Sequence, residues 1–259
     1  MPKKRMMILM GAAIALLLGT GVAGMFYAAH RPGAKQPIGT QTASQPANKA
    51  KTDAQTSENP VQTGFDKTQH STTDPSSPWV VVNKQHPLDP QNYAPTDLTS
   101  VGNGQIMRAE AAAALTQLFT DAKAAGYTLV ADSGYRSYNY QITTYNSVVK
   151  SSGQAYADSH SAHPGYSEHQ TGWAVDIGSG SCHVADCFGD LPAGQWTAAN
   201  AYKYGFILRY TKANSSVTGY DAEPWHFRYV GTALSNELHA KNVTTLEEFF
   251  TVSGGATYK

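Results

Sequence analysis

Apolar and polar positions divide the chain into three stretches of different character. Residues 6–29 run without a charged side chain behind Lys3, Lys4 and Arg5. Roughly 20 apolar residues cross a hydrocarbon core as a helix, and flanking cations stay on the cytoplasmic side. Residues 1–29 are therefore expected to form an N-terminal membrane anchor, with the rest of the chain outside the cell. The alternative is a signal peptide cut near Gly21-Val22-Ala23, which leaves a secreted protein. In residues 30–78 the only large apolar side chains are Ile38, Val61 and Phe65. Such a stretch buries too little apolar surface to offset chain entropy, so it is expected to be a disordered linker.

Residues 79–259 carry the periodicities of a folded domain. The run Trp79-Val80-Val81-Val82 reads as a strand followed by a loop. Residues 108–125 repeat apolar positions at helical spacing and stop at Gly126. Residues 127–131 read as a buried strand, 138–150 as a helix, 153–172 as a polar loop and 173–177 as a short strand. A helix over 195–204, strands over 206–210 and 225–230, and helices over 232–241 and 246–251 complete the pattern. Helices and short strands mixed without a βαβ repeat predict an α+β domain, with a small, mainly antiparallel sheet flanked by helices and a site in a cleft.

Charge narrows the function. The chain has 19 Lys+Arg against 19 Asp+Glu, and the exported part, without its three N-terminal cations, is mildly acidic. That balance excludes a basic nucleic-acid footprint, and no nucleotide motif is present. No sequence feature calls for a second subunit, so the chain is expected to be monomeric.

The chemistry concentrates in Ser167-Glu168-His169-Gln170-Thr171-Gly172-Trp173-Ala174-Val175-Asp176 and in Glu223-Pro224-Trp225-His226. If the chain turns at Gly172 and enters a strand, the His169 imidazole and the Asp176 carboxylate converge on one cation, and His226 supplies a third ligand. Two histidines and one carboxylate leave zinc a fourth position, the pattern of a catalytic rather than a structural site. Glu223 then stands ready as general base.

The complete Ser-x-His-x-x-Gly-x-Ala-x-Asp motif at 167–176 and Glu-x-x-His at 223–226, in that order, resemble the zinc D-alanyl-D-alanine carboxypeptidases of the VanY type, a branch of the LAS metallopeptidases. The resemblance covers 79–252, including Tyr93-Ala94-Pro95-Thr96-Asp97-Leu98 and Ser133-Gly134-Tyr135-Arg136-Ser137. It implies one zinc per chain held by His169, Asp176 and His226, with Glu223 as catalytic acid and base. It also implies that Arg136, Gln141 and Ser167 contact substrate, with Arg136 taking part in catalysis. A planar guanidinium suits either a terminal carboxylate or a tetrahedral oxyanion. The expected reaction is removal of the C-terminal D-Ala from peptidoglycan stem pentapeptides in the cell wall. An L,D-carboxypeptidase acting on tetrapeptide stems, a cross-link endopeptidase and an inactive wall-binding module are the alternatives.

Cys182 and Cys187 are the only cysteines, and outside the cell they are expected to form a short local disulfide; a second metal site using His183 is the competing reading. His160 and His163 precede His169 in the polar loop and are expected to be solvated. Ser147-Val148-Val149-Lys150 imitates the Ser-x-x-Lys motif of serine penicillin-binding enzymes, but no Lys-Thr-Gly is present.

Overall fold

Strand alternation decides which residues reach the site and which fill the core. The computed structural model describes residues 64–259. The expected anchor at 1–29 and the linker up to residue 63 lie outside the described residues. No helix among the described residues is long and apolar enough to cross a membrane.

In chain order the elements are a hairpin of β1 (Leu98–Gly102) and β2 (Gln105–Arg108), α1 (Ala109–Ala124), β3 (Val130–Ser133), α2 (Tyr138–Ser152) and α3 (Gln154–His160). A 3-10 turn at Glu168–Thr171 leads into β4 (Ala174–Gly178), then α4 (Cys187–Asp190) and α5 (Pro192–Asn200). They are followed by β5 (Phe206–Tyr210), α6 (Ser215–Thr218), β6 (Glu223–Tyr229), α7 (Thr232–Lys241) and α8 (Leu246–Phe250). Strands β3-β4-β6-β5 form one sheet in which every neighbouring pair is antiparallel.

Successive side chains on a strand point to opposite faces. Val175 and Ile177 of β4 and Phe227 of β6 therefore join the main core, where α1 contributes Leu115 and Leu118. Asp176 and His226, their neighbours in sequence, point the other way and are directly paired in the β4–β6 register. A second cluster gathers Trp79, Val81, Val230, Leu234, Leu238, Leu246 and Phe249.

Three expectations are corrected. Residues 79–82 are buried but belong to neither sheet. Val80 and Val82 enter the main core while Trp79 and Val81 enter the second cluster, so both faces are apolar although no ladder partner exists. Residues 64–78, expected to belong to the linker, are packed on the domain. Phe65 lies 5.4 Å from Trp79 and 5.6 Å from Phe249 between ring centroids, Pro75 and Ser77 are buried, and the Val81 amide donates to the Thr72 carbonyl at 2.9 Å. The stretch between 82 and 108, read as loop, contains the β1–β2 hairpin. Its exposed positions hide the apolar signal, although Asn103-Gly104, both at positive φ, is a turn signature.

Candidate active site

The 3-10 turn, β4 and β6 each deliver one group to a single point. Ligand atoms of His169, Asp176 and His226 all lie within 4.8 Å of one another, and all three residues are buried. His169 Nε2 is 3.3 Å from Asp176 Oδ1, and His226 Nδ1 is 3.2 Å from the same oxygen. His169 Nε2 and Asp176 Oδ1 are buried without a hydrogen-bond partner. Two orphaned buried polar atoms facing each other are costly unless something binds between them. An imidazole, a carboxylate and a second imidazole are a donor set that fits zinc.

The surroundings fix which nitrogen each histidine offers. His169 Nδ1 is 2.8 Å from the Gly134 carbonyl, so it carries the proton and leaves Nε2 free as a ligand. His226 Nε2 is 3.2 Å from a Glu168 carboxylate oxygen, which leaves Nδ1 facing the cluster. The motif glycines serve these contacts. Gly172 closes the 3-10 turn at φ 75, in left-handed conformation. Gly134 approaches the hairpin so closely that a Cβ there would lie 2.3 Å from the Ile106 carbonyl oxygen. The unforeseen hairpin thus holds the 134–136 segment, whose Arg136 amide donates to the His169 carbonyl at 3.1 Å.

Charges follow from burial and neighbours. Burial and the Arg136 charge lower His169 to about 4, so its imidazole is neutral. Burial works against a charged His226, yet the Asp176 and Glu168 carboxylates raise it to about 9. Against the cost of burial, His169 and His226 hold Asp176 ionised, and Arg209 and Arg228 do the same for Glu168. Glu223 behaves differently: burial pushes it up to about 7, with His226 and Arg136 opposing and Asp176 reinforcing. Its Oε2 lies 3.6 Å from His226 Nδ1. A carboxyl poised near neutrality beside a candidate metal centre is suited to exchange protons.

Arg136, Asp176 and Glu223 line a cleft of about 630 Å³, together with Tyr140 and Trp225. Arg136, Ser167, His169, Glu223 and His226 also line a smaller inner pocket. Arg136 Nε is buried without a partner, and the next residue, Ser137, caps α2 by accepting from the Tyr140 amide at 3.2 Å. Gln141 lines neither of these cavities. It is buried, its amide donates to the Ala162 carbonyl at 2.8 Å, and its Oε1 has no partner. It thereby holds the loop residue Ala162, which does line the inner pocket.

Cys182 and Cys187 are joined in a disulfide. His183, inside that loop, pairs with Asp132 at 2.9 Å, and among the described residues only one group of His, Cys, Asp and Glu converges as a metal site. His160 lines both the cleft and the inner pocket, stacked on Tyr156 at 3.8 Å, while His163 is held by Asp158 at 2.9 Å and stacked on Tyr258 at 3.6 Å. Both are more constrained than solvated loop histidines. Sequence reasoning missed Glu168, the wholly buried carboxylate between Arg209, Arg228 and His226. Its signal was the pair of arginines Arg209 and Arg228 set among aromatic and aliphatic strand residues, since buried cations require a buried counter-charge.

Residues 104–232 match the family model described as VanY: D-alanyl-D-alanine carboxypeptidase. The chain is 43% identical over 187 residues to YodJ of Bacillus subtilis (strain 168), a protein named as a carboxypeptidase, covering 68% of each chain. It is 33% identical over 179 residues to a D-alanyl-D-alanine carboxypeptidase of Enterococcus faecalis, covering 66% of this chain and 64% of that one. Among solved structures it resembles the LdcB LD-carboxypeptidase with a TM-score of 0.63 and 41% identity, over 70% of this chain and 89% of that one. It also resembles the vancomycin resistance D,D-pentapeptidase VanY, solved with Zn(II), with a TM-score of 0.59 and 32% identity over 68% and 99% of the two chains.

Proposed function

The chain belongs to the VanY family of D-alanyl-D-alanine carboxypeptidases, and on that premise we propose that it is a zinc-dependent D,D-carboxypeptidase that removes the terminal D-Ala from peptidoglycan stem pentapeptides. One observation carries the reading: His169, Asp176 and His226 converge at a cleft that also holds Glu223 and Arg136. His169 Nε2, an Asp176 carboxylate oxygen and His226 Nδ1 would hold the metal. When bound, zinc supplies Lewis-acid polarisation of the scissile carbonyl and a nucleophile at neutral pH.

The chain's own residues do the rest. Glu223 accepts a proton from the attacking water and returns it to the amine of the departing D-Ala. Arg136, with an unpartnered buried Nε, presents fixed positive charge to the substrate's carboxylate or to the developing oxyanion. Glu223 and Arg136 are partly buried between cleft and inner pocket, which lowers the local dielectric, so both charges act more strongly than they would in water.

A second reading, removal of D-Ala from tetrapeptide stems, is favoured by the 41% identity to an LD-carboxypeptidase. Residues 1–29 are assigned to a membrane anchor or signal, residues 30–63 to a linker, and the enzyme to the outside of the cell. The uncharged run at 6–29 and the polar composition after it support that placement.

Purified residues 64–259 incubated with pentapeptide and tetrapeptide stems, with and without a zinc chelator, decide between the readings by mass spectrometry. Chelator-sensitive loss of one D-Ala from the pentapeptide alone is expected. Trimming of the tetrapeptide alone would give the second reading, and zinc-loaded protein inert towards both would overturn the assignment.

A further inference from the structure

The metal site rests on a buried charge cluster whose central carboxylate occupies the unspecified position between Ser167 and His169 in the first motif. Glu168 is wholly buried at the start of the 3-10 turn, and the proposed reaction gives it no role. Its Oε1 accepts from both Arg209 Nε at 2.8 Å and Arg228 Nη1 at 2.9 Å. Its Oε2 lies 3.2 Å from His226 Nε2.

We propose that Glu168 is a positioning residue for the metal, holding the proton on His226 Nε2 so that Nδ1 presents its lone pair to the cluster. The two arginines arrive from neighbouring strands β5 and β6 and are themselves immobilised. Arg209 makes a fork with Glu247, Nη1 to Oε2 at 2.9 Å and Nη2 to Oε1 at 2.7 Å. Arg228 spends its remaining donors on the carbonyls of Pro78 at 3.0 Å, Val80 at 2.9 Å and Tyr229 at 3.0 Å. Neither guanidinium can turn without breaking several buried hydrogen bonds, so together they fix the plane of the Glu168 carboxylate. Both point at one oxygen, which leaves the other for the imidazole.

Chemistry requires a hydrogen-bond acceptor at Nε2, and the Glu168 carboxylate supplies it. An imidazole with both nitrogens protonated offers no lone pair, and one with the proton on Nδ1 would turn a donor towards the cluster. A buried acceptor at Nε2 keeps a proton there, so the proton that gives way to the metal is the one on Nδ1. Two carboxylates, Glu168 and Glu247, balance two guanidiniums, so the assembly orients the ligand without adding net charge beside the cation. Outer partners of this kind contribute about 10–100-fold in metal affinity.

This inference rests on the reading of the cluster as a zinc site, and the test separates the two. Zinc affinity of the full chain and of Glu168→Gln is measured by competition with a chromophoric chelator. Long-range 1H–15N spectra of the imidazoles are recorded on the zinc-loaded proteins. The expected result is affinity weakened by about 10–100-fold in Glu168→Gln, with the His226 Nε2 proton, slowly exchanging in the wild type, lost or shifted. A purely structural role would lower the melting temperature and leave affinity and the His226 signals unchanged, and that outcome overturns the proposal. Wild-type protein that binds no zinc would sink the metal reading instead. If Glu168→Gln does not fold, the wild-type spectrum decides: a rapidly exchanging or absent His226 Nε2 proton in the zinc-loaded protein overturns the assignment.

Discussion

Asp176 and His226 face each other directly across the β4–β6 ladder, with Asp176 Oδ1 3.2 Å from His226 Nδ1. Two ligands separated by a long stretch of sequence are thus set by strand register, and only His169 depends on a turn. A slip of one residue in either strand would send that strand's ligand into the core and leave the other without its partner.

Asp176→Asn keeps that register and the side-chain volume while removing the charge. Zinc content after dialysis is expected to fall from one per chain to near zero, and turnover with it by several orders of magnitude. Elemental analysis of folded protein checks this; full zinc occupancy in the variant would remove Asp176 from the site.

For Glu223 the sign follows from its surroundings. Burial raises the carboxyl from 4.5 to about 7 without a metal, and a neighbouring dication favours the charged form and lowers it. The base works only when ionised, so kcat/KM is expected to rise with pH along an acid limb whose midpoint lies in the interval below about 7. Glu223→Gln should retain zinc and lose turnover by several orders of magnitude. A pH–rate profile flat across that interval, or an active Glu223→Gln, would exclude the role.

Arg209 lies wholly buried between Glu168 and Glu247, so Arg209→Met leaves two buried carboxylates short of a counter-charge. Removing one partner of a buried pair costs about 3–5 kcal/mol. Urea denaturation should show a loss of that size, against near-neutrality for a surface change such as Lys241→Ala, whose partner Glu237 is an exposed i,i+4 contact.

Much of this was legible in the sequence for identifiable reasons. The helix at Thr232–Lys241 and the strand at Phe206–Tyr210 fall on their expected bounds because Gly205, Gly231 and Asn242, each at positive φ, mark where they begin or end. His169, Asp176, His226 and Glu223 are brought together, the grouping that the resemblance implied. Trp79 to Val82 misled because burial between two clusters yields the same apolar run as a strand. Gln141 was expected at the substrate; its amide braces Ala162, a contact that spacing on a helix does not report. Glu168 escaped notice because its importance lies in Arg209 and Arg228, far along the chain.

Phe65 provides a test of where the domain begins. It is half-buried against Trp79 and Phe249, so Phe65→Ala is expected to cost about 1 kcal/mol. A protein starting at residue 79 should melt below one starting at residue 64 by calorimetry, whereas equal melting temperatures would show that 64–78 adds nothing to stability.

That segment also sets how the domain carries mechanical load. Tension applied through residue 64 is taken up first by the Phe65 ring on Trp79 and Phe249 and by the Lys67 ammonium on the Phe249 carbonyl. Those contacts stand on the aromatic cluster of α8 rather than on β4, which carries Asp176. A pull on the chain would peel away a replaceable strap before it strained the strand register on which the metal ligands depend.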